Sequence, residues 1–262
     1  MCGRYATTRT PDALADEFGA RLADASVSVE PDWNMAPTKP APIVIERPPS
    51  GAPPQAGGTP KPGGREILIA QWGLVPSWAK DPKIGSRLIN ARSETVAEKP
   101  AFAKAFASRR AVIPADGYYE WYPGAKKQPF YITPKDRGVL AMAGLFEFWK
   151  ADPDALGVPP VPRKREVPPA TLASRSGGWL ITFTVLTTSA SDDLGHLHDR
   201  TPMMLTADEV DAWLDPAPMT PAERLGLLVP AVPGRLDAWP VSTEVNNHRN
   251  NGPQLIEPIP ME

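Results

Sequence analysis

The sequence predicts an α+β fold built on a mainly antiparallel β core. Apolar residues fall in short runs rich in β-branched and aromatic side chains, and helical periodicity is confined to four segments. The two patterns do not alternate in the β-α-β order that a doubly wound sheet requires. In chain order, a helical pattern covers 11–23 and a strand-like run, APIVIE, covers 41–46. Residues 48–64, PPSGAPPQAGGTPKPGG, hold 11 Pro or Gly in 17 positions and are incompatible with a helix or a central strand, so they read as a mobile insertion. EILIAQWGLV at 66–75 resumes the strands, a helical pattern follows at 98–108, and AVIPA at 111–115 and QPFYIT at 128–133 are strand-like again. VLAMAGLFEFW at 139–149 and WLITFTVLT at 179–187 flank a second Pro-rich and charged stretch at 152–178, read as a surface loop. Helical patterns at 206–214 and 220–229 complete the set, and no internal repeat is present.

At 262 residues, with 42% hydrophobic and 22% charged residues, the chain has the composition of a soluble globular protein. It has no apolar run long enough for a membrane span, and its first residues lack the apolar stretch of a secretory signal, so a cytoplasmic protein is expected. The 28 Lys and Arg against 30 Asp and Glu give a net charge of -2, so any nucleic-acid site must be a local basic patch. One cysteine excludes an intrachain disulfide and a cysteine-based zinc cluster.

That cysteine is Cys2, and a small residue at position 2 permits removal of Met1. The mature chain would then carry an α-amine and a thiol on adjacent carbons, a 1,2-aminothiol that condenses with an aldehyde to a five-membered thiazolidine. Taken alone, a cysteine at this position reads more readily as incidental. Asn90 and Arg92 in LINARSET share one face if the segment is extended. Glu120 in YYEW has Tyr118, Tyr119 and Trp121 as neighbours that would desolvate it and raise its pKa, or else it is a surface residue of an aromatic strand. His196 and His198 lie two apart, but with only His248 besides them and no carboxylate at a completing spacing, no metal site is expected. His198 beside Arg200 reads as an acid-base residue next to a phosphate holder, or as a hydrogen-bonded structural residue.

Ten motifs in order, MCGRYA, WNMAPT, QWGLVPSW, LINARSET, ADGYYEW, KKQPFYI, MAGLFE, TVLTTSA, HDRTPMML and EVNNHRNNGPQLIEPI, resemble the SOS response-associated peptidase family nearly end to end. The resemblance implies a single domain over 1–262 with a barrel-like, mainly antiparallel β core flanked by helices. It implies an enzyme that binds single-stranded DNA and crosslinks Cys2 to the aldehyde of an abasic site, a lyase-type activity with peptidase-like removal of Met1. Asn90, Glu120 and His198 are then expected around Cys2. Arg4, Arg92 and Arg200 would hold phosphates, Pro37, Trp78 and Trp121 would wedge or stack beside the lesion, and Asn34 and Thr187 would complete the DNA-binding set. No cofactor is expected, and the implied setting is a monomer acting on DNA in a bacterial cytoplasm. The chain departs from the family pattern at Ala79, which replaces a second tryptophan, and at Pro100, which replaces an arginine that Lys99 would compensate. A cysteine peptidase using Cys2 and His198, and a non-catalytic reader of modified bases, are the alternatives.

Overall fold

The computed structural model describes residues 2–24, 29–48, 64–123, 127–150, 175–176, 179–190, 197–230 and 234–260. The chain runs β1 (Tyr5–Thr7), α1 (Pro11–Phe18), β2 (Arg21–Leu22), β3 (Asp32–Met35), β4 (Pro40–Arg47), β5 (Gly64–Trp72) and β6 (Asn90–Arg92). Next come α2 (Ala103–Ser108), β7 (Arg110–Ala115), β8 (Gly117–Trp121), β9 (Pro129–Pro134) and β10 (Leu140–Lys150). The remainder holds β11 (Arg175–Ser176), β12 (Trp179–Ser189), β13 (Arg200–Pro202), β14 (Met204–Leu205), α3 (Ala207–Leu214), α4 (Pro221–Gly226) and β15 (Leu236–Pro240).

Five strands close into a barrel. β4 lies between β5 and β7, β7 pairs with β10, and β10 pairs with β12, all antiparallel. The ring closes where β12 runs parallel to β5, with Thr182 opposite Gln71 and Phe183 opposite Trp72. Strand alternation then sorts the side chains. Ile43, Ile45, Leu68, Ala70, Ile113 and Phe183 share one cluster, whereas Val44, Ile67, Val112 and Leu145 pack with Leu14 of α1, Phe106 of α2 and Trp213 of α3. A barrel of five strands has no room for a helix, so the helix-covered face is the outside and the first set fills the interior.

A second antiparallel sheet, in the order β15-β9-β8-β1-β3, packs on that interior. Tyr5 of β1 and Tyr118 of β8 sit opposite each other and join the barrel cluster. Tyr119 and Tyr131 point the other way, onto Val241 and Val245 of the C-terminal segment. Gly117 opens β8 because nothing larger fits: a Cβ there would lie 2.5 Å from the Tyr131 ring and from the Ile132 carbonyl oxygen.

Past the barrel, β12 outruns β10 and takes new neighbours on both edges. β6 runs parallel to it, Val185 opposite Asn90 and Thr187 opposite Arg92, and β13 runs antiparallel, Ser189 opposite Arg200. This overhang carries Asn90, Arg92 and Arg200 into one neighbourhood.

The α+β class and the barrel-like core agree with expectation, and a strand or helix occurs at every predicted run. Several boundaries differ, among them the helix expected over 220–229, which spans only Pro221–Gly226. The first helix stops at Phe18 because Gly19 takes the left-handed conformation (φ 57°) and its N–H caps the Ala15 and Asp16 carbonyls, after which Arg21–Leu22 is a strand. In the 98–108 segment only Ala103–Ser108 is helical. Nearly all of the two Pro-rich insertions lies outside the described residues; only Pro48, Gly64 at the start of β5 and the β11 pair fall within them. Among the described residues no helix is long and apolar enough to cross a membrane.

Candidate functional site

Cys2 stands just before β1 and is wholly buried. Its backbone carbonyl accepts a 2.7 Å hydrogen bond from Asn90 Nδ2, so β6 holds the head of the chain directly. The thiol faces the Arg4 carbonyl oxygen at 3.8 Å. Burial, and then the nearby Glu120 carboxylate, push the thiol far above its ordinary range, while the charge of the chain's amino terminus pulls it down. Cys2 is thus a protonated, shielded thiol in this structure.

Glu120 is buried on β8, two residues beyond Tyr118, whose pairing with Tyr5 fixes the register between β8 and β1. Desolvation raises its carboxyl to about 7, partly offset by the amino-terminal charge. The desolvating groups are not all those the sequence suggests. Alternation turns Tyr119 toward the C-terminal segment, and Trp121 packs there too, its indole N–H donating to Asn246 Oδ1 at 2.7 Å. Tyr118, Ile132 and Leu197 line the cleft with Glu120 instead.

His198 and Arg200 line the same cleft. His198 Nδ1 accepts the Arg200 backbone N–H at 2.9 Å and also lies 2.8 Å from Asp199 Oδ1. A neutral ring cannot satisfy both with one nitrogen. The fixed backbone donor decides the tautomer, because the Asp199 carboxylate is exposed and free to turn away, so the proton sits on Nε2. Desolvation and the amino-terminal charge lower the His198 pKa, which keeps the ring neutral. The same terminal charge therefore acts on Cys2, Glu120 and His198, three residues from separate parts of the chain.

The three arginines differ in state. Arg4 Nη1 donates to Asn34 Oδ1 at 2.6 Å and to the Val245 carbonyl at 2.8 Å, and among the described residues no carboxylate pairs with it. Arg92 is exposed, and among the described residues its side chain makes no hydrogen bond or ion pair. Arg200, by contrast, meets Glu94 with both terminal nitrogens, at 2.6 and 3.0 Å, and donates to the Thr187 carbonyl at 2.5 Å.

Several expected DNA-binding residues occupy other positions. Asn34 is wholly buried, and its amide is spent on Arg4 and on the carbonyls of Val245, Asn247 and Asn250. In this structure it braces Arg4. Thr187 is likewise buried and backs Arg200 from behind. Pro37 is half-buried in the turn between β3 and β4, where Thr38 has a φ of 73°. Trp78 is 59% exposed, with its indole N–H on the Pro100 carbonyl at 3.4 Å, so the departure at Pro100 lies against this tryptophan. His196 lies outside the described residues.

Sequence reasoning passed over Glu94, named Tyr118 only as a desolvating neighbour of Glu120, and passed over Thr201. The last two share a 3.1 Å hydroxyl contact beside Glu120. Glu94 sits two residues from Arg92 in LINARSET, and only the pairing of β6 and β13 with β12 reveals that it faces Arg200.

The motifs that build this cleft span the chain, and so do its likenesses. Abasic site processing protein YoaM of Bacillus subtilis is 32% identical over 98% of this chain and 98% of its own length. Abasic site processing protein HMCES of Xenopus tropicalis is 30% identical over 99% of this chain and 78% of its own length. A crystal structure of a protein from Bacteroides thetaiotaomicron superposes with a TM-score of 0.73 at 23% identity, covering 98% of this chain and 100% of that one. A Bordetella bronchiseptica protein superposes with a TM-score of 0.65 at 24% identity, covering 92% and 100%. The same barrel fold recurs in both. The profile described as SOS response associated peptidase (SRAP) spans residues 1–248, from the cysteine at the head of the site to the asparagine-rich tail that braces Arg4, and the chain belongs to that family.

Proposed function

We propose that this protein processes abasic sites by binding single-stranded DNA and joining Cys2 covalently to the aldehyde of the opened sugar. The observation that carries the reading is the cleft that gathers Glu120, His198 and Arg200, with Cys2 buried within reach of the Glu120 charge and its carbonyl gripped by Asn90. The names of the relatives support the substrate.

Removal of Met1 turns the Cys2 nitrogen into an α-amine with an ordinary pKa of about 7.7 to 8.0. The neutral amine attacks the aldehyde carbon, and the former carbonyl oxygen takes a proton. Loss of that hydroxyl as water leaves an imine. The Cys2 sulfur then adds to the imine carbon, its proton passing to the ring nitrogen, and a thiazolidine closes. Glu120, near half-ionised at neutral pH, is suited both to accept a proton from the amine and to return one to the departing hydroxyl. Neutral His198, with its proton on Nε2, is suited to the sugar oxygen. Arg4 and Arg92, cations without carboxylate partners among the described residues, are suited to the phosphates flanking the lesion, and exposed Trp78 to stacking on a base. The setting proposed is a monomer acting on cytoplasmic DNA.

The test is to compare protein with a free N-terminus and protein with that terminus acetylated, each incubated with a strand carrying one abasic site. The free form should give a band that survives heat and denaturant, and the blocked form should bind without crosslinking. Equal crosslinking by both would exclude the aminothiol chemistry. The word peptidase in the family's description favours a second reading, in which the Cys2 thiolate hydrolyses peptides with His198 as base. Turnover of an added peptide that is lost in Cys2→Ala would support it.

A further inference from the structure

We propose that Glu94 is a built-in competitor for the phosphate site: its carboxylate occupies Arg200 in the free protein and must be displaced before a nucleic-acid phosphate can bind there. The inference rests on the reading of Arg200 as a phosphate holder.

The geometry carries it. Glu94 Oε1 and Oε2 meet Arg200 Nη1 and Nη2 at 2.6 and 3.0 Å, the two-point contact a phosphate would make with the same fork. Arg200 is anchored from below by the Thr187 carbonyl and hydroxyl, at 2.5 and 3.2 Å, so the guanidinium stays in place whichever anion it faces. The carboxylate side of the pair is the one open to solvent: the Glu94 side chain is 46% exposed and that of Arg200 10%. Arg200 also lines the cleft with Glu120 and His198, so the exchange takes place at the site itself. Glu94 is held below the usual carboxylate range by its bond to Arg200, and Arg92 adds to the pull, which favours its anionic form.

The consequence concerns selectivity. Arg4 and Arg92 have no carboxylate to displace among the described residues, whereas Arg200 has one, so any polyanion engages two cations freely and the third only against Glu94. A strand held at Arg4 and Arg92 brings its next phosphate up at high local concentration and wins the exchange; a loosely bound anion does not.

The probe is an undamaged oligothymidine strand, which has no aldehyde, so binding is read apart from crosslinking. Fluorescence anisotropy should find Glu94→Gln binding about five-fold tighter than wild type at low salt, the effect shrinking as salt screens it. In wild type, the Glu94 carboxyl carbon should titrate below the ordinary range when free and move upward when the strand is bound, because its arginine has been taken and a phosphate stands in its place. If Glu94→Gln binds more weakly or equally and the Glu94 carboxyl does not move, Arg200 keeps its carboxylate and the pair is a structural joint. If wild type binds no single strand at all, the proposed function falls along with this inference. If it binds and only the Glu94 results fail, the function stands and the competitor does not.

Discussion

At neutral pH the Glu120 carboxyl stands near its midpoint, because burial pushes it up to about 7. An unfolded chain releases that proton near the ordinary value of 4.5, so between the two the folded state keeps a proton the unfolded state has lost. Stability attached to Glu120 is therefore fully present below about 4.5, declines as pH rises, and is lost above about 7. The gap corresponds to about 3 kcal/mol at full ionisation, an upper figure because the site can relax. Glu120→Gln should accordingly be more stable than wild type at pH 8 and lose most of that advantage at pH 5, as read by urea unfolding, while crosslinking slows. An advantage independent of pH would mean the carboxyl is not buried as described. Tyr5 makes a second case. Its hydroxyl is buried without a hydrogen-bond partner among the described residues, a cost of about 1–2 kcal/mol that a phenylalanine does not carry. Tyr5→Phe should raise the unfolding free energy by about that amount, and a decrease instead would reveal a partner for the phenol.

The elements that position the site are the short ones. β1, β6 and β13 have three residues each, too few for periodicity to register, and their polar members break any apolar run. The long barrel strands are legible because fully buried strands read as continuous apolar runs; the overhang of β12 that gathers Asn90, Arg92 and Arg200 is not, since pairing between distant segments leaves no local mark. Motif resemblance names residues without telling which layer of the fold each occupies. Asn34 is the brace behind Arg4, and the Glu94–Arg200 pair is invisible in the sequence, because two residues 106 apart carry no hint of contact. β8 offers the sharpest test at this scale. Gly117→Ala would drive a Cβ into Tyr131 and the Ile132 carbonyl at 2.5 Å and should destabilise the protein by about 1–3 kcal/mol in urea unfolding. It should also slow crosslinking, because β8 carries Glu120. Wild-type stability in that variant would mean the β8–β9 approach is looser than described.

The whole molecule carries a net charge of -2, so DNA affinity that rests on Arg4, Arg92 and, in the cleft, Arg200 should be local and strongly salt-dependent. Arg4→Ala and Arg92→Ala should each flatten the slope of log affinity against log salt for a single strand by about 0.7, the change expected when one phosphate fewer is neutralised. An unchanged slope in both would remove them from the interface. The barrel, the second sheet and the asparagine-rich tail together hold the head of the chain in a buried cleft, and the chemistry proposed there begins only once Cys2 becomes the first residue. The most direct measurement is the intact mass, under denaturing conditions, of the product formed with a strand carrying a single abasic site. The result predicted is one species equal to the protein without Met1 plus the strand minus one water, absent in Cys2→Ala; a covalent product that retains Met1, or one that persists in Cys2→Ala, would contradict the aminothiol capture.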